Sequence, residues 1–491
     1  MRLGDLVRAV PGAELHGEEE LEIQSVAHDS RRCDEGSLFV AIQGLAADGN
    51  DFVEAAVKKS AAAVVSEQPP RAGVPWVRVR DAREALALLS AAVLDHPGRK
   101  LDLVGVTGTN GKTTTAFMID SAVRESGETS GLVGTVDYRI GDRVAEAART
   151  TPESSDLQSL LREMVDAGCR RAVLEVSSHA LALKRVHGLA FRVAVFTNLS
   201  RDHLDFHEDM ESYFAAKRIL FDALLREDGH AVVNVDDDHG AELARSLDRP
   251  VLTCSLSAGA DFVAEDVQLS LEGTRFRVKS PSGDFEAQTP LLGRFSVRNA
   301  LCAFAAAHAL GLPPDAVQRG LASLKGVPGR MERVDAGQDF VVLVDYAHTD
   351  DALRNLLESV RELDPRRLVT VFGCGGDRDR SKRPLMGAVA ARLSDVVILT
   401  SDNPRSEPPE AILDDVRRGI PADRVEETRV IVDRREAITH ALEMGREGVV
   451  VVIAGKGHET RQVLRDRSVP FDDRQVVRDV LAGPARVGGK R

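Results

Sequence analysis

The sequence predicts an α/β protein of three domains, and three observations carry that expectation. At 491 residues the chain exceeds what one hydrophobic core ordinarily supports, and division by a typical domain size gives roughly three units. From residue 101 onward, apolar strand-like runs alternate with segments of helical period, the pattern of largely parallel sheets. Two turn-rich breaks, HPGRK at 96–100 and LKGVPGRME at 324–332, interrupt the alternation. The expected domains are residues 1–98, 99–328 and 329–491.

In the first domain, SLFVAI (37–42) and AAAVVS (61–66) read as short strands among helical stretches. In the second, LDLVGVTG is followed by RAVLEVSS (171–178), RVAVFTNLS (192–200) and HAVVNVDD (230–237). The third contains FVVLVDYA, RLVTVFGCGG, VVILTSDNP and GVVVVIAGKG, each separated by a helix-length segment, which predicts a second doubly wound sheet. In each of these runs the polar and glycine-rich residues follow the apolar ones. Ligands of open α/β sheets bind beyond the carboxyl ends of the strands, so DYAH, GCGGDRDR, SDNPR and GKGHE should share one rim. The tail GPARVGGKR is expected to fray.

Composition removes several classes. With 43% hydrophobic residues and no apolar run near the ~20 needed to span a bilayer, the chain is not expected to engage a membrane. The N-terminal MRLGDLVRAVPGAEL carries an acidic residue and a Pro where a signal peptide needs an apolar stretch, so a cytoplasmic protein is expected. Cys33, Cys169, Cys254, Cys302 and Cys374 lack CxxC spacing, which argues against disulfides and structural zinc and for buried thiols. A formal net charge of −13 with one Trp and three Tyr disfavours nucleic-acid binding. An anionic ligand must then be met by local positive groups.

Residues 101–115, LDLVGVTGTNGKTTT, run from a strand through a glycine loop into a helix, the setting of a phosphate-binding loop. Gly108 and Gly111 let backbone N–H groups close around phosphate oxygens, Lys112 offers a point charge and the Thr113 hydroxyl suits Mg2+. The strict GxxxxGK spacing is not met, because Val106 stands at the first Gly. Further along, Glu175 ends one strand run and His203 follows another, in NLSRDHLDFH. A carboxylate and an imidazole at strand ends near a triphosphate suit a divalent cation, although Mg2+ ordinarily prefers oxygen. Lys217, in the helical YFAAKRILF, reads from the sequence alone as a lysine whose stem lies along the helix while its head reaches water.

The variant TGTNGKTT resembles the Mur ligase and folylpolyglutamate synthetase superfamily, and the resemblance extends over the entire chain. It implies a UDP-substrate domain, a central P-loop-type, mostly parallel sheet ATPase domain, and a C-terminal Rossmann-like domain for the incoming amino acid. For ATP it implies Gly108, Thr109, Asn110, Gly111, Lys112, Thr113, Thr114, Asn299, Arg330, Asp345 and His348. For catalysis it implies Lys112, Glu175, His203 and a carbamylated Lys217. The metal set is Thr113, Glu175, His203 and Lys217, with Mg2+ and bicarbonate or CO2 as cofactors. For a UDP-N-acetylmuramoyl dipeptide it implies Ser30, Leu45, Ala46, Ala47, Thr150, Thr151, Ser177, Leu183 and Arg185.

The segment SDNPRSEPP (401–409) resembles the signature of the diaminopimelate-adding members. A guanidinium fork grips a carboxylate bidentately, and meso-diaminopimelate differs from lysine by one carboxylate. Lysine would leave Arg405 unpaired, at a cost of ~2–5 kcal/mol if desolvated. The implied diaminopimelate set is Arg378, Asp402, Asn403, Pro404, Arg405, Gly455 and Glu459. Three positions depart from the family pattern: Leu183 replaces a frequent Gln, Arg149 a frequent Asn or His, and Pro408 a frequent Asp or Asn.

The expected reaction phosphorylates the γ-carboxylate of D-glutamate and lets the amine attack the acyl phosphate, within a monomer that closes around small-molecule substrates. The alternatives are a lysine-adding Mur ligase, a folylpolyglutamate synthetase, a nucleotide-sensing protein without turnover, and a P-loop kinase.

Overall fold

A computed structural model describes residues 1–44, 47–71 and 73–483. The expectations placed on Leu45, Ala46 and the tail at 484–491 therefore lie outside the described residues.

The first sheet has five strands, in the order Glu14–His16, Trp76–Arg78, Ala63–Ser66, Ser37–Val40, Ser25–Ala27. All neighbours run parallel except the first pair. Ser37–Val40 and Ala63–Ser66 are buried on both faces, which is why they read as unbroken apolar runs. Leu38 and Val40 face one core cluster, Phe39 and Trp76 the other.

The central sheet has eleven strands. Its middle orders Val251–Ser255, Leu225–Asn234, Phe191–Phe196, Asp102–Thr107, Arg171–Glu175 and Ser130–Val133, all parallel. Helices Lys112–Glu125 and Arg294–Ala309 cover one face, Ser154–Asp166 and Met210–Asp222 the other. The sheet departs from the parallel expectation at its edges. A hairpin, Asp137–Ile140 and Arg143–Glu146, closes one side, and a meander of Phe262–Ser270, Gly273–Ser280 and Gly283–Thr289 closes the other. Their outward faces alternate polar residues with apolar ones, as half-solvated antiparallel strands do.

The order in which strands are added to the sheet reverses at Asp102–Thr107. Strands Ser130–Val133 and Arg171–Glu175 lie to one side of it, and Phe191–Phe196 with Leu225–Asn234 to the other. That reversal opens a crevice at the carboxyl edge, and the glycine loop leaves the sheet there.

The third sheet orders Glu332–Arg333, Val341–Asp345, Val449–Ala454, Arg367–Phe372, Val396–Leu399 and Thr428–Val430, with only the first strand antiparallel. The four polar segments expected on one rim do follow the carboxyl ends of its strands. All five cysteines are free and buried. Among the described residues no helix is long and apolar enough to cross a membrane.

Side chains stitch the three sheets together. His28 Nδ1 lies 2.8 Å from Ser155 Oγ, and Lys184 Nζ lies 2.7 Å from Asp81 and 2.9 Å from Glu84. Between the second and third sheets, Asn110 Nδ2 donates to Asp351 at 3.2 Å and Arg201 to Ser381 Oγ at 2.7 Å.

Candidate functional site

The glycine loop is held from beneath by the segment after Phe191–Phe196. Asn110 N donates to Asn198 Oδ1 at 2.9 Å, Thr197 Oγ1 to Asn110 O at 2.6 Å, and Thr109 N to Asn198 O at 2.9 Å. Gly108 has φ 146, and a Cβ there would lie 1.9 Å from Thr197 Oγ1, so no other residue fits. Lys112 opens helix Lys112–Glu125 and folds back, donating to the carbonyls of Gly108 and Thr109 at 2.8 Å each. Loss of hydration lowers its pKa, with Glu175 opposing and Arg330 adding to the fall.

Glu175, at the end of its strand, is fully buried and fully engaged. It accepts from Thr113 Oγ1 at 2.9 Å, from Thr135 N at 2.7 Å and from Thr135 Oγ1 at 2.9 Å. Arg330 Nη2 lies 3.4 Å from Thr113 Oγ1, bringing a cation from the start of the third sheet to the loop.

Lys217 corrects its sequence reading. Its side chain is not extended into water but is 1% exposed, with Nζ donating to Gly108 O at 2.9 Å and lying 4.3 Å from the centre of the Tyr213 ring. The apolar face of helix Met210–Asp222 turns it inward with Tyr213 and Phe214. Burial, with Lys112 beside it, pushes its pKa well below the usual lysine value.

A cleft of about 580 Å³ opens above the loop. Of the expected ATP set, all but Gly108 line it: Thr109, Asn110, Gly111, Lys112, Thr113, Thr114, Asn299, Arg330, Asp345 and His348. Asn299 Nδ2 and Arg330 Nε are buried there without partners among the described residues. His203 lines the cleft, with its ring 4.8 Å from that of His179; Glu175 and Lys217 sit behind the wall. Asp345 is anchored by Met331 N and Ala347 N, each at 2.7 Å, and burial raises its pKa.

The expected UDP-dipeptide residues divide. Thr150 and Ser177 line the far end of the cleft, and Thr151 lies behind them with its hydroxyl on Glu175 O at 2.7 Å. Arg185 donates to Thr151 O at 3.1 Å and pairs with Glu153 at 2.8 Å. Ser30 is buried, Ala47 exposed and Leu183 half-buried, and none of the three lines the cleft. Sequence reasoning missed Glu153, on which Arg83, Arg149 and Arg185 all converge. Only the fold brings these three together.

The expected diaminopimelate residues form a separate group on the third sheet and do not line the cleft. Asn403 Nδ2 donates to Glu459 at 2.8 Å, and Lys456 Nζ bonds both Glu459 at 2.9 Å and Asn403 Oδ1 at 3.1 Å. Asp402 is buried with Oδ2 unpartnered among the described residues, and Gly455 is buried with it. Arg405 follows Pro404 with φ 50, and its Nη1 donates to Gly376 O at 2.8 Å. Its Nε and Nη2 carry no hydrogen bond among the described residues. Arg378 is exposed on the neighbouring loop. The two loops are braced by Glu407, which accepts from Asp377 N at 2.6 Å and from the buried Arg383 at 2.8 Å. The Arg383 guanidinium holds the Glu407 carboxyl down to about 2.

The structure thus holds a glycine loop at the switch point of one parallel sheet and, away from the cleft above it, a rim of charged turns on another. A glycine loop at a switch point, beneath a cleft lined from two sheets, is the architecture of a nucleotide-using enzyme. The chain matches the family models described as Mur ligase family, catalytic domain, over residues 22–93, Mur ligase middle domain over 106–307, and Mur ligase, glutamate ligase domain, over 329–457. It is 48% identical to the UDP-N-acetylmuramoyl-L-alanyl-D-glutamate--2,6-diaminopimelate ligase of Solibacter usitatus, across 98% of this chain and 99% of that one. It is 45% identical to the protein of the same name from Geobacter metallireducens, across 97% and 98%. A solved structure titled with that same ligase name superposes with a TM-score of 0.70 at 34% identity, covering 98% of this chain and 99% of its own. The chain belongs to the Mur ligase family.

Proposed function

We propose that the chain is an ATP-dependent ligase that joins meso-2,6-diaminopimelate to the γ-carboxylate of the D-glutamate in UDP-N-acetylmuramoyl-L-alanyl-D-glutamate, in peptidoglycan precursor synthesis. The observation that carries the specificity is Arg405: its backbone is pinned, one guanidinium nitrogen rests on Gly376 O, and the remaining N–H edge is free. Such an edge binds a carboxylate bidentately. Glu459 and the unpartnered Asp402 oxygen supply negative charge for an ammonium group nearby. In this reading the protein works as a cytoplasmic monomer on small molecules.

The residues at the loop suit Mg2+. Thr113 Oγ1 and the Glu175 carboxylate are oxygen donors, and among the described residues no three His, Cys, Asp or Glu side chains stand close enough to hold an ion unaided. An ion there would rely on Thr113, Glu175 and His203 together with substrate phosphates, as Mg2+ commonly does. When bound it supplies neutralising charge to the phosphates. Lys217 is the carbamate site in this reading: burial favours the neutral form of its amine, whose lone pair attacks the carbon of CO2, so that an N–C bond forms, one C–O π pair moves onto oxygen, and one proton leaves to solvent.

Chain residues then have distinct tasks. Lys112 leaves its loop carbonyls to meet the phosphate, loop N–H groups hold the transferred group, and Arg330 neutralises charge from the third sheet. Glu153 holds Arg185 against Thr151 O, behind Thr150 and Ser177, and in this reading Arg185 helps receive the acceptor there. The amine arrives from the Arg405 rim, so the third lobe must swing over the loop before a water-labile acyl phosphate is lost.

The test is phosphate release with the UDP-dipeptide and either meso-diaminopimelate or L-lysine, on the unaltered protein and on Arg405→Ala. Diaminopimelate should be strongly preferred, and Arg405→Ala should lose that preference by about 10²-fold or more. Preference for lysine in the unaltered protein would overturn the specificity. Phosphate release in the absence of either substrate would overturn the ligase reading.

A further inference from the structure

Tyr346 follows Asp345 at the carboxyl end of the strand Val341–Asp345, and none of the roles assigned above uses it. Its ring touches groups that belong to two different sites. On one side the Arg330 guanidinium stands 4.9 Å from the ring centre, and Arg330 reaches Thr113 of the glycine loop at 3.4 Å. On the other side the ring of His458 lies 5.1 Å away, and His458 directly precedes Glu459 of the amino-acid rim. His458 Nδ1 is buried without a partner among the described residues, so the ring is held by packing alone on that edge.

The backbone around Tyr346 is interlocked. Tyr346 N donates to Gly329 O at 2.8 Å. Gly329 itself sits so close to the turn at 457–458 that a Cβ would fall 2.1 Å from His458 N. Three segments, from the hinge at 329–330, from 345–348 and from 455–459, are therefore in direct backbone contact. Tyr346 also lines the nucleotide cleft. Burial pushes its hydroxyl up to about 12, Glu459 and Asp402 add to the rise, and Arg330 opposes it, which places the ring within electrostatic reach of both sites.

We propose that Tyr346 is a positioning residue that ties the amino-acid turn at Gly455–Glu459 to Arg330 at the glycine loop, so that filling either site improves the other. The inference rests on the reading of Glu459 as part of the diaminopimelate site. An amino acid drawn onto Glu459 fixes the turn, the turn fixes the His458 and Tyr346 rings, and the Tyr346 face fixes the guanidinium that meets the phosphates. Coupling of this kind is reciprocal, because both ligands act on one equilibrium.

The test uses the full chain with the UDP-dipeptide present and measures affinity for a non-hydrolysable β,γ-methylene ATP by calorimetry, with and without saturating meso-diaminopimelate. In the unaltered protein the amino acid should tighten nucleotide binding about fivefold or more. In Tyr346→Leu the tightening should fall below about twofold. Tyr346→Phe, which keeps the ring face, should retain the coupling. Absence of coupling in the unaltered protein, or full coupling in Tyr346→Leu, overturns the proposal. Tyr346→Leu that does not fold leaves Tyr346→Phe and Tyr346→His to decide: coupling must be kept in the first and reduced in the second. A parallel turnover assay separates failures, since a chain that ligates diaminopimelate without coupling defeats only this inference, and one that does not ligate it defeats the function proposed above.

Discussion

Glu175 has no solvent exposure and three donors aimed at its two oxygens. Glu175→Gln would turn one acceptor into an NH2 facing a donor, a mismatch costing about 1–3 kcal/mol. The expected outcome is a lower melting temperature in a thermal scan and phosphate release reduced by about 10²-fold or more. The buried histidines give a pH signature. Burial lowers His179, His207 and His458 from 6.5 to about 4. Between those values the unfolded chain binds more protons than the folded one, so stability is present above about 6.5 and is lost as pH falls toward about 4. Melting temperature of the ligand-free chain should drop across that window, and His207→Gln should make the drop shallower. Arg405 holds φ 50, a left-handed conformation that costs a non-glycine residue about 1–2 kcal/mol. Arg405→Gly should therefore melt no lower than the unaltered protein while its KM for diaminopimelate rises, a split that thermal and kinetic measurements read separately.

At the scale of elements, the glycine loop and the braced rim loops carry the chemistry. Gly108→Ala would force a Cβ into Thr197 Oγ1 at a φ that L residues rarely adopt, so it should abolish nucleotide binding in calorimetry and destabilise the fold. The strands and this loop were legible in the sequence because their signals are local: Val104–Thr107 is apolar, Gly108–Gly111 is loop, and helical residues follow. The edge hairpin and the 262–289 meander were not, because alternation such as that of GTRFRVKS marks a half-solvated strand without saying where it pairs, and these strands take their places from their neighbours. Among site residues, Lys112, Glu175 and Arg405 could be found from motifs. Glu153, Glu407 and Lys456 could not, because each has partners remote in sequence that only the fold supplies: Arg83 and Arg185 for Glu153, Arg383 for Glu407 and Asn403 for Lys456. Tyr346 was hidden for the opposite reason: DYAH drew notice to the polar residues on either side of it.

At the scale of the whole molecule, the glycine loop and the Arg405 rim belong to different lobes, joined near the loop by Asn110–Asp351 and Arg201–Ser381. Ligation requires these lobes to approach. Small-angle scattering should show the radius of gyration falling when a non-hydrolysable nucleotide, the UDP-dipeptide and diaminopimelate are all present. An unchanged profile would mean that the amine travels to the loop by some other route. Lys217 adds a consequence in time. Its amine is sealed under Gly108 O, on the side of the loop away from the cleft. For the carbamate proposed above to form once a triphosphate caps the loop, dissolved gas would have to diffuse through packed protein to reach that nitrogen. Enzyme degassed and loaded with nucleotide before bicarbonate is returned should start slowly and accelerate, whereas the reverse order of mixing should give a straight progress curve from the first seconds.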